Sequence, residues 1–245
     1  MMKSMKQLFI IALSVFALSA SSLVYAADLL IVSGGGYKKP MQQVIQAYQT
    51  VSGKQVDASY GNMRQITAQA QASSKIALAI GDEKFFGQSG KLFAATQPIG
   101  TGKLVIAWAQ GRPQIKNAQD LTNPAITRIG HPHAKKAIYG RAAVEWLQSN
   151  HLTDAISETV MQLSTVPQVS SYLVAREIDA GFINLTDAIG LGDRIGGYTL
   201  LESGYERIKI VAATVAGHEQ DAELQAFLQF LQSEQAKEIF TRYGL

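Results

Sequence analysis

A run of three glycines stands where a predicted strand passes into a predicted helix. Gly34, Gly35 and Gly36 follow the apolar stretch DLLIVS (28–33) and precede Tyr37 and a helical pattern. The first backbone N–H groups of a helix lack acceptors inside the helix, so this position favours an anion. Glycine lets the backbone approach such a ligand without an intervening Cβ atom. From this stretch alone, a tight turn that needs glycine for its backbone angles explains the run equally well.

Three more predicted strands end in polar or glycine-rich loops. These loops read YGNM (60–63), GHPHAKK (130–136) and FINLTD (182–187). Ligands of open α/β sheets gather at the carboxyl ends of the strands, so the four loops together predict one binding site. Asn62 either caps the helix that follows or faces the ligand, and capping is the more common use. The glycine run matches neither G-x-G-x-x-G nor a P-loop, so a nucleotide ligand has no support.

Rival chemistries find less support in the sequence. His131 and His133 flank a proline and have no obvious carboxylate beside them. Two histidines alone supply only about half of the ligands that a metal site needs. Serine occurs in no G-x-S-x-G motif, and no spaced carboxylate pair for acid–base work is identifiable. Trp108 and Trp146 fall on apolar faces and are predicted to be core residues. We therefore expect no enzyme activity, no metal and no cofactor.

The N-terminal residues have the pattern of a secretory signal peptide. Lys3 and Lys6 precede a short apolar stretch, and VYA (24–26) has the small–x–small form of a cleavage site. Residues 1–26 are therefore predicted to be removed on export to the periplasm. The net charge of +3 includes these two lysines and falls to +1 without them, so it gives no case for nucleic-acid binding. The chain contains no cysteine and must be held together by its core.

Strands and helices alternate along the mature chain, which predicts an α/β fold with parallel sheets covered on both faces. The predicted strands are 28–33, 53–60, 76–81, 103–109, 127–132, 158–163, 179–184 and 207–215. The predicted helices are 40–51, 62–72, a short one after Asp82, 137–147, 167–176, 221–231 and 234–243, with Gly244 as terminator. Two long apolar strands far apart in sequence, 103–109 and 207–215, are predicted to carry the chain out to a second domain and back.

Several stretches in this order resemble the periplasmic molybdate-binding proteins of ABC importers, which have the type II solute-binding fold. They are GDEKFF (81–86), TGKLVIAWA (101–109), RIGHP to AAVEWL (128–147), GFINLTDAI (181–189) and LQAFLQFLQSEQAKEIFTRYGL (224–245). The resemblance implies two lobes, 27–105 with 210–245 and 106–209. Each lobe has a mostly parallel sheet flanked by helices, and two crossing strands join them. It also implies a ligand held in the cleft and closure by hinge bending.

In the family that this chain resembles, backbone N–H groups and serine and tyrosine hydroxyls hold a tetrahedral oxyanion without a compensating cation. Carried to this sequence, the resemblance predicts side-chain hydrogen bonds from Ser33, Asn62 and Asn184. It predicts backbone N–H donors at Gly35, Gly36 and Val169. The remaining predicted site residues are Tyr37 as a wall or hydroxyl donor, Met63, Lys136 as a source of charge, and Tyr139 and Arg64 as reserves.

The sequence departs from the family pattern where hydroxyl groups are expected. The family's first loop ends in alanines and a serine, and the same place in this chain reads Gly34, Gly35, Gly36 and Tyr37. Asn62 and Met63 stand where the family has a serine pair, and Asn184 stands at the tyrosine position. We therefore expect a monomer that captures a small anion for an ABC permease. That anion is either a molybdate-like oxyanion or a bulkier organic carboxylate or phosphate. The alternatives are a sensory protein that presents its ligand to a membrane receptor, and an importer subunit whose site has decayed.

Overall fold

The computed structural model describes residues 27–245 and contains ten β-strands in that range. The predicted signal peptide, residues 1–26, lies outside the described residues. The strands are β1 (Leu29–Gly34), β2 (Val56–Gly61), β3 (Ile76–Asp82), β4 (Phe93–Gly102), β5 (Leu104–Trp108), β6 (Ile129–Pro132), β7 (Val160–Leu163), β8 (Ala180–Asn184), β9 (Gly197–Leu201) and β10 (Ile208–Val215).

Eight α-helices accompany the strands in the described residues. They are α1 (Lys38–Ser52), α2 (Met63–Ala72), α3 (Glu83–Gly87), α4 (Ile138–Ser149), α5 (Val166–Val174), α6 (Leu185–Leu191), α7 (Ala222–Leu231) and α8 (Glu234–Arg242). A short 3-10 turn, Gly35–Tyr37, leads into α1. None of these helices is long and apolar enough to cross a bilayer.

The strands form two five-stranded sheets, which define two lobes. Lobe 1 has the order β2-β1-β3-β10-β4, and lobe 2 has the order β7-β6-β8-β5-β9. In each sheet the first three strands in this order are parallel to one another. The fourth strand, β10 in lobe 1 and β5 in lobe 2, pairs antiparallel with both of its neighbours. The predicted two-lobed α/β fold is therefore confirmed. The sheets are mixed rather than mostly parallel, because each crossing strand enters its new sheet in the antiparallel sense.

The chain changes sheet twice. It passes from lobe 1 to lobe 2 between β4 and β5, and it returns between β9 and β10. The predicted lobe boundaries, after residues 105 and 209, fall inside β5 and β10, a few residues beyond these changes. Both strands are almost entirely buried in the sheets that they enter, whereas residues 202–207, which join β9 to β10, are half-buried or exposed.

Helix ends follow the signals in the sequence. The Asn62 side chain accepts from the N–H of Gln65 at 3.0 Å, and Gln65 returns a bond to the N–H of Asn62, which forms a complete capping box. Asp82 accepts from the N–H of Phe85 and caps α3 as predicted. Gly244 follows α8 with φ of 76°, a left-handed conformation that favours glycine at a helix end.

Each lobe buries its own apolar side chains. Trp108 and Trp146 are each 6% exposed, and the Trp146 ring packs on Phe182 with centroids 5.6 Å apart. In lobe 1, Tyr48 packs edge-on against Phe227 of α7 at 5.0 Å. The predicted core role of both tryptophans is confirmed, and neither is a stacking platform for a ligand.

Candidate ligand site

A small cavity lies between the lobes at the carboxyl ends of the parallel strands. Lobe 1 lines it with Gly34, Gly35, Gly36, Tyr37, Gly61, Asn62 and Met63, and lobe 2 lines it with Ala137, Ile138, Tyr139, Thr165 and Val166. The space open to the centre of a water-sized sphere is about 20 Å³. By that measure one water needs about 10–15 Å³, so the cavity holds a group of only a few atoms.

Helices from both lobes begin at the cavity wall. Met63, Ile138 and Val166 are the first residues of α2, α4 and α5. The first amide N–H of a helix has no acceptor in its own helix. Within residues 27–245 these three N–H groups donate to no other backbone group. The twelve lining residues include no charged side chain, so the cavity offers an anion only dipoles and hydrogen-bond donors.

The structure corrects the predicted donor on α5. The N–H of Val169 donates to the carbonyl oxygen of Thr165 at 3.2 Å, inside the helix, and Val169 does not line the cavity. The first residue of the helix is Val166, three positions earlier. The signal was present in the sequence: Thr165 is a good N-cap residue, and Pro167 suits the first turn.

Two tyrosines meet across the cleft beside the cavity. The hydroxyl oxygens of Tyr37 and Tyr139 are 2.7 Å apart, and both residues are buried. Burial raises the pKa of both hydroxyls well above the ordinary tyrosine value, so both remain protonated near neutral pH. Their mutual bond uses one of the two protons. The other proton is available to an acceptor in the cavity, which supports Tyr37 and Tyr139 as ligand donors.

Removing the Tyr37 hydroxyl is expected to weaken anion binding about tenfold. The Tyr37→Phe substitution leaves the Tyr139 hydroxyl buried without its partner and removes one donor, at a cost of about 1–3 kcal/mol. Titration calorimetry on the wild type and the variant measures the change. Tyr60→Phe is the control, since Tyr60 does not line the cavity. Equal affinities for Tyr37→Phe and the wild type would exclude the hydroxyl pair from the site.

Asn184 reaches the site from behind the glycine run. Its Nδ2 donates to the carbonyl oxygen of Gly36 at 2.9 Å, and the residue is fully buried. The side chain does not line the cavity, so its predicted hydrogen bond to the ligand is replaced by a bond between the lobes. Asn184 therefore positions the Gly36 backbone instead of contacting the anion.

Four other predicted residues have different surroundings from those expected. The Ser33 hydroxyl donates to the carbonyl oxygen of Gly34 at 3.4 Å, and Ser33 does not line the cavity. Met63 lines the cavity, but its sulfur lies against Gly81 in the lobe 1 core, which leaves its N–H for a ligand. Lys136 lies outside the lining, and its carbonyl oxygen accepts from the N–H of Arg64 at 3.3 Å. Lys136 and Arg64 therefore join the lobes through their backbones.

The remaining predicted lining residues are Gly35, Gly36 and Asn62, and all three are present in the cavity wall. The Oδ1 atom of Asn62 accepts the hydrogen bond that caps α2. Its Nδ2 atom lies 3.5 Å from the carbonyl oxygen of Ser164 across the cleft. Ala137, Ile138, Thr165 and Val166 were missed. They come together only because α4 and α5 start at the same edge of the lobe 2 sheet.

The lobes are closed on each other around this cavity. Besides the contacts above, the Arg141 guanidinium on α4 donates to Asp82 Oδ2 at 3.2 Å, and Lys39 and Lys84 of lobe 1 pair with Asp187 and Glu206. Asp82 is 1% exposed, and its charge lies near both tyrosines. Arg141 offsets that negative charge, so the cavity remains compatible with an anion.

The histidines do not assemble a metal site. Within residues 27–245 no group of three or more histidine, cysteine, aspartate or glutamate side chains is placed to hold a metal ion. His131 is 6% exposed, and its Nδ1 lies 2.7 Å from the carbonyl oxygen of Pro132. Burial lowers the pKa of His131 from its ordinary value of 6.5.

This burial predicts a pH dependence of stability. Because the pKa is lower in the folded protein, the unfolded chain binds more protons below about pH 6.5, and folding stability falls as the pH drops through that window. Above about pH 6.5 His131 is neutral in the unfolded chain as well, so a further rise in pH no longer changes the stability through this residue. In the His131→Gln variant we expect a smaller fall in melting temperature between pH 7.5 and pH 5 than in the wild type. Parallel pH profiles of the two proteins would contradict this assignment.

The fold, with a cavity between two lobes, is that of a two-lobed binding protein. A family model described as bacterial extracellular solute-binding protein matches residues 29–245. The chain therefore belongs to that family of solute-binding proteins. The earlier resemblance to molybdate-binding proteins is also confirmed by individual relatives.

Among those relatives is the molybdate-binding protein ModA of Azotobacter vinelandii. It is 25% identical over 228 residues, which cover 89% of this chain and 90% of ModA. The solved periplasmic molybdate-binding protein of the same organism superposes with a TM-score of 0.79 at 22% identity, covering 88% of this chain and 97% of that one. The sulfate-binding protein SubI of Mycobacterium tuberculosis H37Rv superposes with a TM-score of 0.72 at 15% identity, covering 89% and 86%.

Proposed function

We propose that this chain captures a small tetrahedral oxyanion of the molybdate type between its lobes and delivers it to an ABC importer. The observation that carries the proposal is the neutral cavity at which α2, α4 and α5 begin. Hydrogen bonds to a charged group contribute about 1.5–3 kcal/mol each, so a few backbone donors and one tyrosine hydroxyl hold an anion without a cation.

The size of the cavity supports one of the two kinds of anion that the sequence left open. A space of about 20 Å³ suits a compact oxyanion better than the carbon skeleton of an organic acid. The relatives that bind molybdate and sulfate by name support the same class of ligand. The cavity therefore favours the molybdate-like oxyanion over the bulkier carboxylate or phosphate ester.

Calorimetric titration of the chain without residues 1–26 tests the ligand class. The panel holds molybdate, tungstate, sulfate and phosphate as tetrahedral oxyanions, and acetate and citrate as carboxylates, in a buffer free of all six. We expect one site per chain for at least one oxyanion and no saturable heat from the carboxylates. The absence of saturable heat from every oxyanion, or tightest binding by a carboxylate, would overturn the proposed ligand.

The transport role is tested in the cell. We propose that the protein acts as a monomer in the periplasm, after cleavage of residues 1–26, and that its partner is an ABC permease. Deleting the gene is expected to reduce uptake of the radiolabelled oxyanion that binds tightest in calorimetry, and plasmid-borne wild type is expected to restore it. Unchanged uptake after deletion would favour the sensory role.

A further inference from the structure

A charged cluster, half-buried at Lys39 and buried at Asp187 and Ser170, lies between the lobes, away from the ligand cavity. Lys39 of α1 belongs to lobe 1, whereas Asp187 of α6 and Ser170 of α5 belong to lobe 2. Lys39 Nζ is 3.6 Å from Asp187 Oδ1, and the Ser170 hydroxyl donates to Oδ2 of the same carboxylate. Ser170 and Asp187 are 4% and 8% exposed. None of the three residues lines the cavity.

The lysine passes through a slot that a glycine leaves open. Gly190 lies on α6, close to one turn after Asp187. A Cβ atom at Gly190 would stand 2.6 Å from Lys39 Nζ and 3.0 Å from Lys39 Cε, so the lysine side chain would have to shift from its present position. Glycine inside a helix is unfavourable relative to alanine, so its presence here calls for a reason. Passage of the Lys39 side chain supplies that reason.

The ammonium group depends on its partner in the closed form. Lys39 Nζ is shielded from solvent and has no hydrogen-bond acceptor within 27–245, which leaves the carboxylate of Asp187 as its compensating charge. Burial lowers the pKa of Lys39, and Asp187 opposes that effect. If the lobes separate, both groups regain water. An exposed pair between the lobes, Lys84 with Glu206, is about half exposed on each side and lacks this dependence.

We propose that Lys39, Asp187 and Ser170, with the slot over Gly190, form a latch that assembles only when the lobes close and sets the closed fraction. The latch acts at a distance from the anion, so these are positioning residues and not ligand contacts. Removing Asp187 leaves the Lys39 ammonium buried without a counter-charge, which penalises the closed form most strongly. The inference is independent of which anion the cavity takes.

The distance between the lobes tests the latch directly. Because the chain has no cysteine, spin labels attach specifically to cysteines introduced at Ala226 of α7 and Gln148 of α4, both exposed. Pulsed electron resonance then gives the distance distribution without ligand and with molybdate. We expect Asp187→Asn and Lys39→Met to lower the ratio of closed to open protein about tenfold, whereas Lys84→Met, the matched control, leaves it within about twofold.

A substitution in the slot separates the latch from a general loss of structure. Gly190→Ala improves helix propensity, yet it is expected to open the lobes as Lys39→Met does, because its Cβ displaces the lysine. In a Lys39→Ala background it should have no further effect. Circular dichroism melting checks that each variant is folded. Distributions of Asp187→Asn and Gly190→Ala that match the wild type would overturn the latch. So would a wild type that stays open at molybdate concentrations at which calorimetry shows molybdate bound, whereas the absence of molybdate binding in calorimetry would contradict the proposed ligand instead.

Discussion

Replacing Gly36 by alanine is expected to weaken oxyanion binding about 100-fold, equivalent to about 2.7 kcal/mol. A Cβ atom at this position would stand 2.6 Å from Asn184 Oδ1 and 2.9 Å from Asn184 Nδ2 when the lobes are closed. Asn184 is fully buried and held by its bond to the Gly36 carbonyl oxygen, so it cannot move aside cheaply. The added methyl group therefore opposes closure while leaving the Gly36 N–H in place. Calorimetry with the tightest-binding oxyanion measures the loss.

A second substitution distinguishes this clash from damage to the loop. Asn184→Ala removes the obstructing amide, so the Gly36→Ala/Asn184→Ala double variant is expected to bind more tightly than Gly36→Ala alone. Gly87→Ala is the matched control, because no atom lies within 4 Å of its added Cβ. A double variant no better than Gly36→Ala would show that the methyl group acts within lobe 1 instead.

Removing a single backbone donor is expected to lower affinity by about 10- to 100-fold. Val166→Pro deletes the first N–H of α5 and keeps the helix, because proline suits the first helical position. The preceding residue, Thr165, has φ of −140° and ψ of 163°, an extended conformation that proline tolerates. The lost hydrogen bond to a charged ligand is worth about 1.5–3 kcal/mol.

Val166→Ala supplies the comparison for this experiment. It also removes the Val166 side chain, which is 6% exposed, but it retains the N–H group. The difference between the proline and alanine variants in calorimetry therefore reports the N–H group alone. If both variants bind equally well, the start of α5 contributes no donor and the proposed arrangement of helix ends is wrong for lobe 2.

Local signals in the sequence predicted most of the framework. Apolar runs marked β1, β3, β5 and β10, and the Asn62 and Asp82 caps follow from side chains that bond a few residues along the chain. Three elements were missed. β4 reads FAATQPIGTG, with proline and glycines typical of a loop, and it is an edge strand with irregular pairing to β10. The other two, α6 and β9, are short and were not separated from their neighbours.

The site was predictable only in part, because its contacts join distant segments. Tyr37 and Tyr139 are 102 positions apart, and Gly36 and Asn184 are 148 apart. No local pattern reports how two lobes meet, so the sequence predicts a ligand contact at Asn184, where the structure has a bond to the Gly36 carbonyl oxygen. The glycine run was identified because its chemistry is local: a bare backbone at a helix start. Val169 was misplaced by three residues, since the resemblance supplied a position without the actual beginning of the helix.

The uncharged lining of the cavity has a consequence for life at changing salinity. Attraction between exposed charges weakens as dissolved ions accumulate, and the Debye length is about 8 Å at physiological ionic strength. Amide dipoles in contact with a bound anion act over shorter distances than exposed charges do. Binding through such dipoles is therefore expected to depend less on ionic strength than binding through exposed charges.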